Sequence, residues 1–199
     1  MNGASKPLLG ALIALGLTGL VFMMSGVVLR ERRTVRTTYR LTDVKSGQPF
    51  TEGSLRGQPS ALFFGFTACP DVCPTTLVTV GRWLDALGPA ASRIRFYFVT
   101  VDPERDSAAV VAKYLSAFDP RIQGLVGPRT EIERISAAYN IVARKVPEGS
   151  SYRYEHTALV LLIDATGRLV DTVDFEEPEE KALAKLRRVI APGTSTVTH

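Results

Sequence analysis

The sequence predicts an α/β fold organised around a mixed β-sheet. Apolar runs of strand length occupy residues 60–66, 94–101 and 158–163. Helix-periodic stretches separate the first run from the second and follow the second, whereas a short turn, Asp164-Ala165-Thr166-Gly167, follows the third. A run that is apolar at every position suits a strand covered on both faces. Strand-helix-strand succession gives parallel crossovers, and a short Gly-containing turn gives an antiparallel pair.

Taken in order, residues 1–7 form a short tail and Leu8 to Leu29 contains no charged residue. At about 1.5 Å per residue, that segment is long enough to cross a hydrocarbon core roughly 30 Å thick. A cleaved signal peptide is the competing reading, but its apolar region runs about 7–15 residues and ends in small residues. Here Val27-Val28-Leu29-Arg30 closes the segment, with only Ser25-Gly26 as a cleavage candidate. The expectation is an uncleaved transmembrane anchor over 8–29, followed by a Thr- and Arg-rich tether over 30–40.

Residues 41–191 make up the folded domain. Turn signals at Ser46-Gly47 and Arg56-Gly57 predict an N-terminal hairpin. Ser60 to Phe66 is the first central strand. Thr75 to Leu87 reads as a helix with apolar Leu77, Val80, Leu84 and Leu87, stopped by Gly88-Pro89. Ile94 to Val101 is the second central strand and ends at Asp102-Pro103. Helices are expected over Ser107 to Phe118 and over Thr130 to Asn140, with Thr130 as the N-cap and an extended piece at Gly124 to Gly127 between them. Ala158 to Ile163 and Arg168 to Phe175 are the paired strands, and Pro178 to Ile190 is a closing amphipathic helix. Residues 192–199 read as a flexible tail. Phe63, Phe64, Phe66 and Trp83 are expected in the core. This element order is the thioredoxin-like arrangement, whose ligands gather at the C-terminal ends of the central strands.

At that end lies Phe63-Phe64-Gly65-Phe66-Thr67-Ala68-Cys69-Pro70-Asp71-Val72-Cys73-Pro74, which holds both cysteines of the chain. Cys69 falls in the loop and Cys73 in or near the first helical turn, where the positive end of the helix favours thiolate. Pro70 and Pro74 stiffen the loop. The bland alternative is two buried cysteines serving as small apolar groups. Two cysteines are too few for a disulfide scaffold. His156, the only histidine besides the terminal His199, stands just before the third apolar strand. No proline occupies the Glu155-His156-Thr157-Ala158 junction, where thioredoxin-type oxidoreductases place a cis-proline, and the cysteines are separated by three residues rather than two. Two thiolates and an imidazole suit copper in either oxidation state. Zinc would want a fourth protein ligand. The mild net charge of +4, without a basic stripe interleaved with aromatics, argues against nucleic-acid binding. The basic residues beside the anchor suit anionic headgroups.

The motif from Phe63 to Pro74, followed by Val99-Thr100-Val101-Asp102-Pro103-Glu104-Arg105-Asp106 and by Tyr154-Glu155-His156-Thr157, resembles the Sco/SenC family. The likeness covers roughly residues 40–190. It implies a membrane-tethered copper chaperone that assists assembly of the binuclear CuA centre of cytochrome c oxidase. The implied partners are the CuA-bearing subunit and a thiol reductant or second copper chaperone. By position, Cys69, Cys73 and His156 are similar to the family's copper ligands. The family often has Asp-His-Ser around the histidine, where this chain has Glu155-His156-Thr157.

Asp71, between the cysteines, is a candidate to hydrogen-bond loop amides, to stabilise the turn or to face a partner. Asp102 is a candidate acceptor that orients His156, or else a cap for the loop before the next helix. Asp106 reads as a helix N-terminal charge or cap. The competing function is a thiol-disulfide reductase using Cys69 and Cys73 alone, which keeps the oxidase's copper-site cysteines reduced. A peroxidase is disfavoured because peroxiredoxins carry threonine three residues before the reactive cysteine, where this chain has Phe66. Flanking charges alone would leave the domain in the cytoplasm. Large domains translocate largely regardless of that bias, and the copper chemistry places this one on the periplasmic face of the inner membrane.

Overall fold

A computed structural model describes residues 38–191. The readings of residues 1–7, the anchor over 8–29, the tether up to residue 37 and the tail over 192–199 lie outside the described residues. Among the described residues no helix is long and apolar enough to cross a membrane.

The strands are β1 (Arg40–Asp43), β2 (Pro49–Thr51), β3 (Ser60–Gly65), β4 (Arg95–Thr100), β5 (Ile122–Val126), β6 (Ala143–Glu148), β7 (Ser151–His156), β8 (Leu159–Ile163) and β9 (Leu169–Asp174). The α-helices are α1 (Val72–Leu87), α2 (Ala108–Leu115), α3 (Arg129–Ala138) and α4 (Glu179–Ile190), with 3₁₀ turns at Glu52–Leu55 and Gly88–Arg93. Seven strands form one sheet in the order β2-β1-β5-β4-β3-β8-β9. β3, β4 and β5 run parallel, and β8 returns antiparallel against β3. The expected crossovers, N-terminal hairpin and C-terminal antiparallel pair are therefore all present.

β3 lies inside this sheet between β4 and β8 and every one of its residues is buried, as its unbroken apolar sequence requires. Phe64 and Phe98 are wholly enclosed, and Phe63, Phe66 and Trp83 join the same core. On α1, the buried positions Leu77, Val80, Leu84 and Leu87 recur at three- and four-residue spacing and form the stripe that packs inward. The helix ends at Gly88, whose φ of +56° lies in the left-handed region that favours glycine.

One expectation is corrected, and one element has no counterpart in the sequence reading. Thr130 is not an N-cap: α3 begins one residue earlier, with Pro128 in the cap position. The Pro128 carbonyl accepts from the Glu131 and Ile132 amides at 2.9 and 3.1 Å, and no capping side chain takes part. The unexpected element is the hairpin β6–β7, which forms a separate two-stranded sheet. Apart from buried Tyr154 its residues are half-buried or exposed without regular alternation, and few are apolar, which leaves a weak signal in the sequence.

The register explains why 156 meets 69. β3 pairs antiparallel with β8 through Phe63↔Val160, so the chain enters β8 at the end where β3 leaves for the cysteine loop. β4 is parallel to β3, with Gly65 opposite Thr100, and delivers residues 101–106 to that same end. Three loops therefore converge at the C-terminal edge of the central strands.

Candidate metal centre

Cys73 lies in the first turn of α1 and is wholly buried, while Cys69 in the preceding loop is half-buried. Both are free thiols. Gly65 makes room for them: a Cβ at that position would stand 2.9 Å from Cys73 Sγ and 2.8 Å from the Phe98 ring. A side chain there would push the sulfur out of place. The loop is fixed by Asp106, which accepts from the Thr67 amide at 3.0 Å, from Thr67 Oγ1 at 2.6 Å and from Thr100 Oγ1 at 2.6 Å. Asp106 therefore points into the protein as the anchor of the cysteine loop. Ser107 is the cap of α2, accepting from the Val110 amide.

His156 Nε2 lies 3.5 Å from Cys73 Sγ, and its Nδ1 lies 3.1 Å from the Thr157 carbonyl. A carbonyl only accepts, so this contact places the proton on Nδ1 and leaves the Nε2 lone pair facing the sulfur. The imidazole is held edge-on against Phe66, at 5.7 Å between centroids, and against Phe63, at 6.3 Å. Cys69, Cys73 and His156 offer three ligand atoms that all lie within 4.8 Å of one another. Donors bound to one ion at about 2.0–2.3 Å stand at most roughly 4.6 Å apart. Small side-chain rotations therefore bring all three onto a single soft cation. Among the described residues this group contains no fourth ligand.

The two sulfurs titrate in opposite senses. A hydrogen bond from the Cys73 thiol, helped by the amides of Cys73 and Asp71 against the opposing effect of burial, brings Cys69 down to about 4. The Cys73 amide lies 3.4 Å from Cys69 Sγ, as a helix N-terminus presents its unsatisfied donors to an anion. The same hydrogen bond, together with burial, pushes Cys73 far above the ordinary thiol range. At neutral pH the reduced pair therefore shares one proton, with the half-exposed sulfur as the thiolate. Such a pair is prepared both to take up a soft cation and to attack a disulfide.

The carboxylates stand apart from this group. Asp71 is exposed, caps no helix amide, and has Thr75 Oγ1 as a distant donor at 3.5 Å. Asp102 is wholly buried, but it does not orient His156, whose acceptor is the Thr157 carbonyl. Its carboxylate receives Arg105 Nε and, at 3.0 Å, the Tyr152 hydroxyl. Sequence reading missed Arg105 and Tyr152. The alternation Tyr152, Tyr154, His156 along one strand face was the available signal.

A family model described as SCO1/SenC matches residues 28–191. The mitochondrial protein SCO2 of Saccharomyces cerevisiae is 35% identical over 156 residues, covering 76% of this chain and 52% of its own length. The chain thus spans about half the length of that curated relative. Among solved structures, Bradyrhizobium japonicum ScoI with copper bound matches with a TM-score of 0.70 and 42% identity, over 76% of this chain and 97% of that one. Yeast Sco1 with copper bound matches with a TM-score of 0.70 and 34% identity, over 80% and 88% respectively. With motifs, topology and the Cys-Cys-His convergence in agreement with these matches, the chain belongs to the SCO1/SenC family.

Proposed function

We propose that this protein is a copper metallochaperone that holds one copper through Cys69, Cys73 and His156. In this reading it passes the metal to the CuA-bearing subunit of cytochrome c oxidase. The observation that carries the proposal is the approach of His156 Nε2 to within 3.5 Å of Cys73 Sγ, which adds an imidazole to a preformed dithiol. Soft sulfur ligands suit Cu(I), and the added nitrogen also admits Cu(II). Copper is the cargo. Delivery needs an open side, which half-exposed Cys69 supplies: an acceptor thiolate can join the metal as Cys69 leaves it. The copper-bound structures of two similar proteins support the choice of metal. Residues 8–29 anchor the domain 41–191 to the inner membrane with the copper site on the periplasmic side.

The test is copper stoichiometry of the purified chain. One copper per chain is expected, with clear loss of retention in His156→Ala, Cys69→Ser and Cys73→Ser. Retention unchanged in His156→Ala removes the imidazole from the site. A reporter active only outside the cytoplasm, fused at the C-terminus, tests the topology.

A second reading rests on Cys69 being a thiolate at neutral pH beside a reduced partner. The pair can then reduce the disulfide of an acceptor, with Cys69 attacking and Cys73 displacing the acceptor thiolate as the Cys69–Cys73 disulfide forms. This role needs both sulfurs but not the imidazole. Oxidase assembly that survives His156→Ala and fails in both Cys→Ser variants favours it.

A further inference from the structure

The imidazole is carried by the element that the main sheet does not hold. β6–β7 is a separate two-stranded sheet, so another interaction must fix the position of its His156. Tyr152, Tyr154 and His156 alternate along β7 and share one face. The Tyr152 and Tyr154 rings meet at 6.0 Å and the Tyr154 and Phe66 rings at 5.9 Å. Arg105 joins this row to the body of the protein. Its Nη1 donates to the Tyr152 carbonyl at 3.0 Å, and its Nε donates to Asp102, which also receives the Tyr152 hydroxyl. The guanidinium lies 3.9 Å from the centre of the Tyr152 ring and 5.9 Å from that of Phe66. Its Nη2 is buried without a hydrogen-bond acceptor, so aromatic faces are what it meets. At the other strand of the hairpin, Lys145 reaches Glu104 at 2.6 Å and the Tyr152 ring at 3.7 Å.

We propose that Arg105, locked between Asp102 and Tyr152, is the positioning residue that sets where β7 presents His156 to the metal. The proposal rests on the three-ligand reading above. Asp102 provides a buried anion fixed at the end of β4. Arg105 converts that fixed charge into a planar fork that grips both the backbone and the ring of Tyr152, four residues before the ligand. A planar fork holds orientation as a flexible ammonium does not, and metal bonds tolerate only about 0.2 Å of error. A hairpin released from Arg105 keeps its own ladder but loses the register that aims Nε2 at Cys73.

The test measures Cu(I) affinity of the full chain by competition with a chromophoric chelator, together with the imidazole NMR signal of metal-free protein. Arg105→Gln and Tyr152→Leu are expected to weaken copper binding roughly ten- to hundred-fold, the usual cost of disturbing a residue that orients a ligand. They are also expected to shift the His156 resonance. In a His156→Ala background neither substitution should weaken binding further. Tyr152→Phe keeps the ring and loses only the hydroxyl, so it is the milder probe if the others unfold, with a smaller loss in the same direction. Native affinity in all three variants overturns the proposal. So does an equal loss with and without His156, because that is the signature of general damage. If His156→Ala alone binds copper as the native chain does, the ligand reading has failed. The metal-free imidazole signal then judges the clamp separately, and an unshifted His156 in Arg105→Gln overturns it.

Discussion

The central strands and the β6–β7 hairpin supply the same site by opposite means. β3 is buried at every residue, is paired on both edges, and holds Cys73 through the close approach at Gly65. The hairpin is mostly half-exposed, pairs only with itself, and holds His156 through two tyrosines and one arginine. The contrast separates a rigid sulfur half of the site from a nitrogen half whose placement depends on a few polar and aromatic contacts. The copper-delivery role proposed above would gain from that division, because one ligand can be loosened without disturbing the core.

The largest effect is expected where the contrast is strongest. Phe64→Ala removes a wholly enclosed ring and should destabilise the domain by about 3–5 kcal/mol, read from denaturant unfolding. Asp106→Ala strips the acceptor from three donors that fix the cysteine loop, at roughly 2–3 kcal/mol. It should also slow copper loading. Gly65→Ala forces a Cβ to within 2.9 Å of Cys73 Sγ and should cost about 1–3 kcal/mol by overpacking, with an altered thiolate absorbance as the local signature. If these three prove no more damaging than changes in the hairpin, the division into rigid and adjustable halves is wrong.

A smaller effect on the fold, but a sharp one on reactivity, follows from Cys69. Its folded value near 4 lies below the ordinary thiol range, so the stabilisation from the thiolate's hydrogen bonds is complete above that range. It is lost as pH falls through about 4. Alkylation of reduced apoprotein should keep a flat rate from neutral pH down to that region, and Cys73→Ala should move the fall upward. At the smallest end, Arg144→Ala breaks an exposed ion pair with Glu155 and should leave the melting temperature unchanged. A clear drop would mean that the hairpin surface carries more structure than its exposure suggests.

How much could be read in advance differed between the same two regions. The runs at 60–66 and 94–101 were legible because a strand covered on both faces must be apolar throughout. Leu77, Val80, Leu84 and Leu87 were legible because a one-sided helix imposes its period. The hairpin was not, since Arg144, Lys145, Arg153 and Glu155 mix charges into both strands and its order comes from contacts with distant residues. Asp102 and Asp106 show the same limit. Each was recognisable as a carboxylate near the site, but their partners Arg105, Tyr152, Thr67 and Thr100 are chosen by folding.

The sequence alone determined the α/β order of elements, the two sulfurs at a helix start and the single internal imidazole, because periodicity, spacing and residue type are local properties of a chain. Tertiary structure alone decided that Nε2 faces Cys73, that Cys69 rather than Cys73 carries the charge, and that Arg105 grips the strand bearing His156. Those depend on burial and on hydrogen bonds between residues far apart in the chain, which exist only once β8 has laid the hairpin's end beside β3.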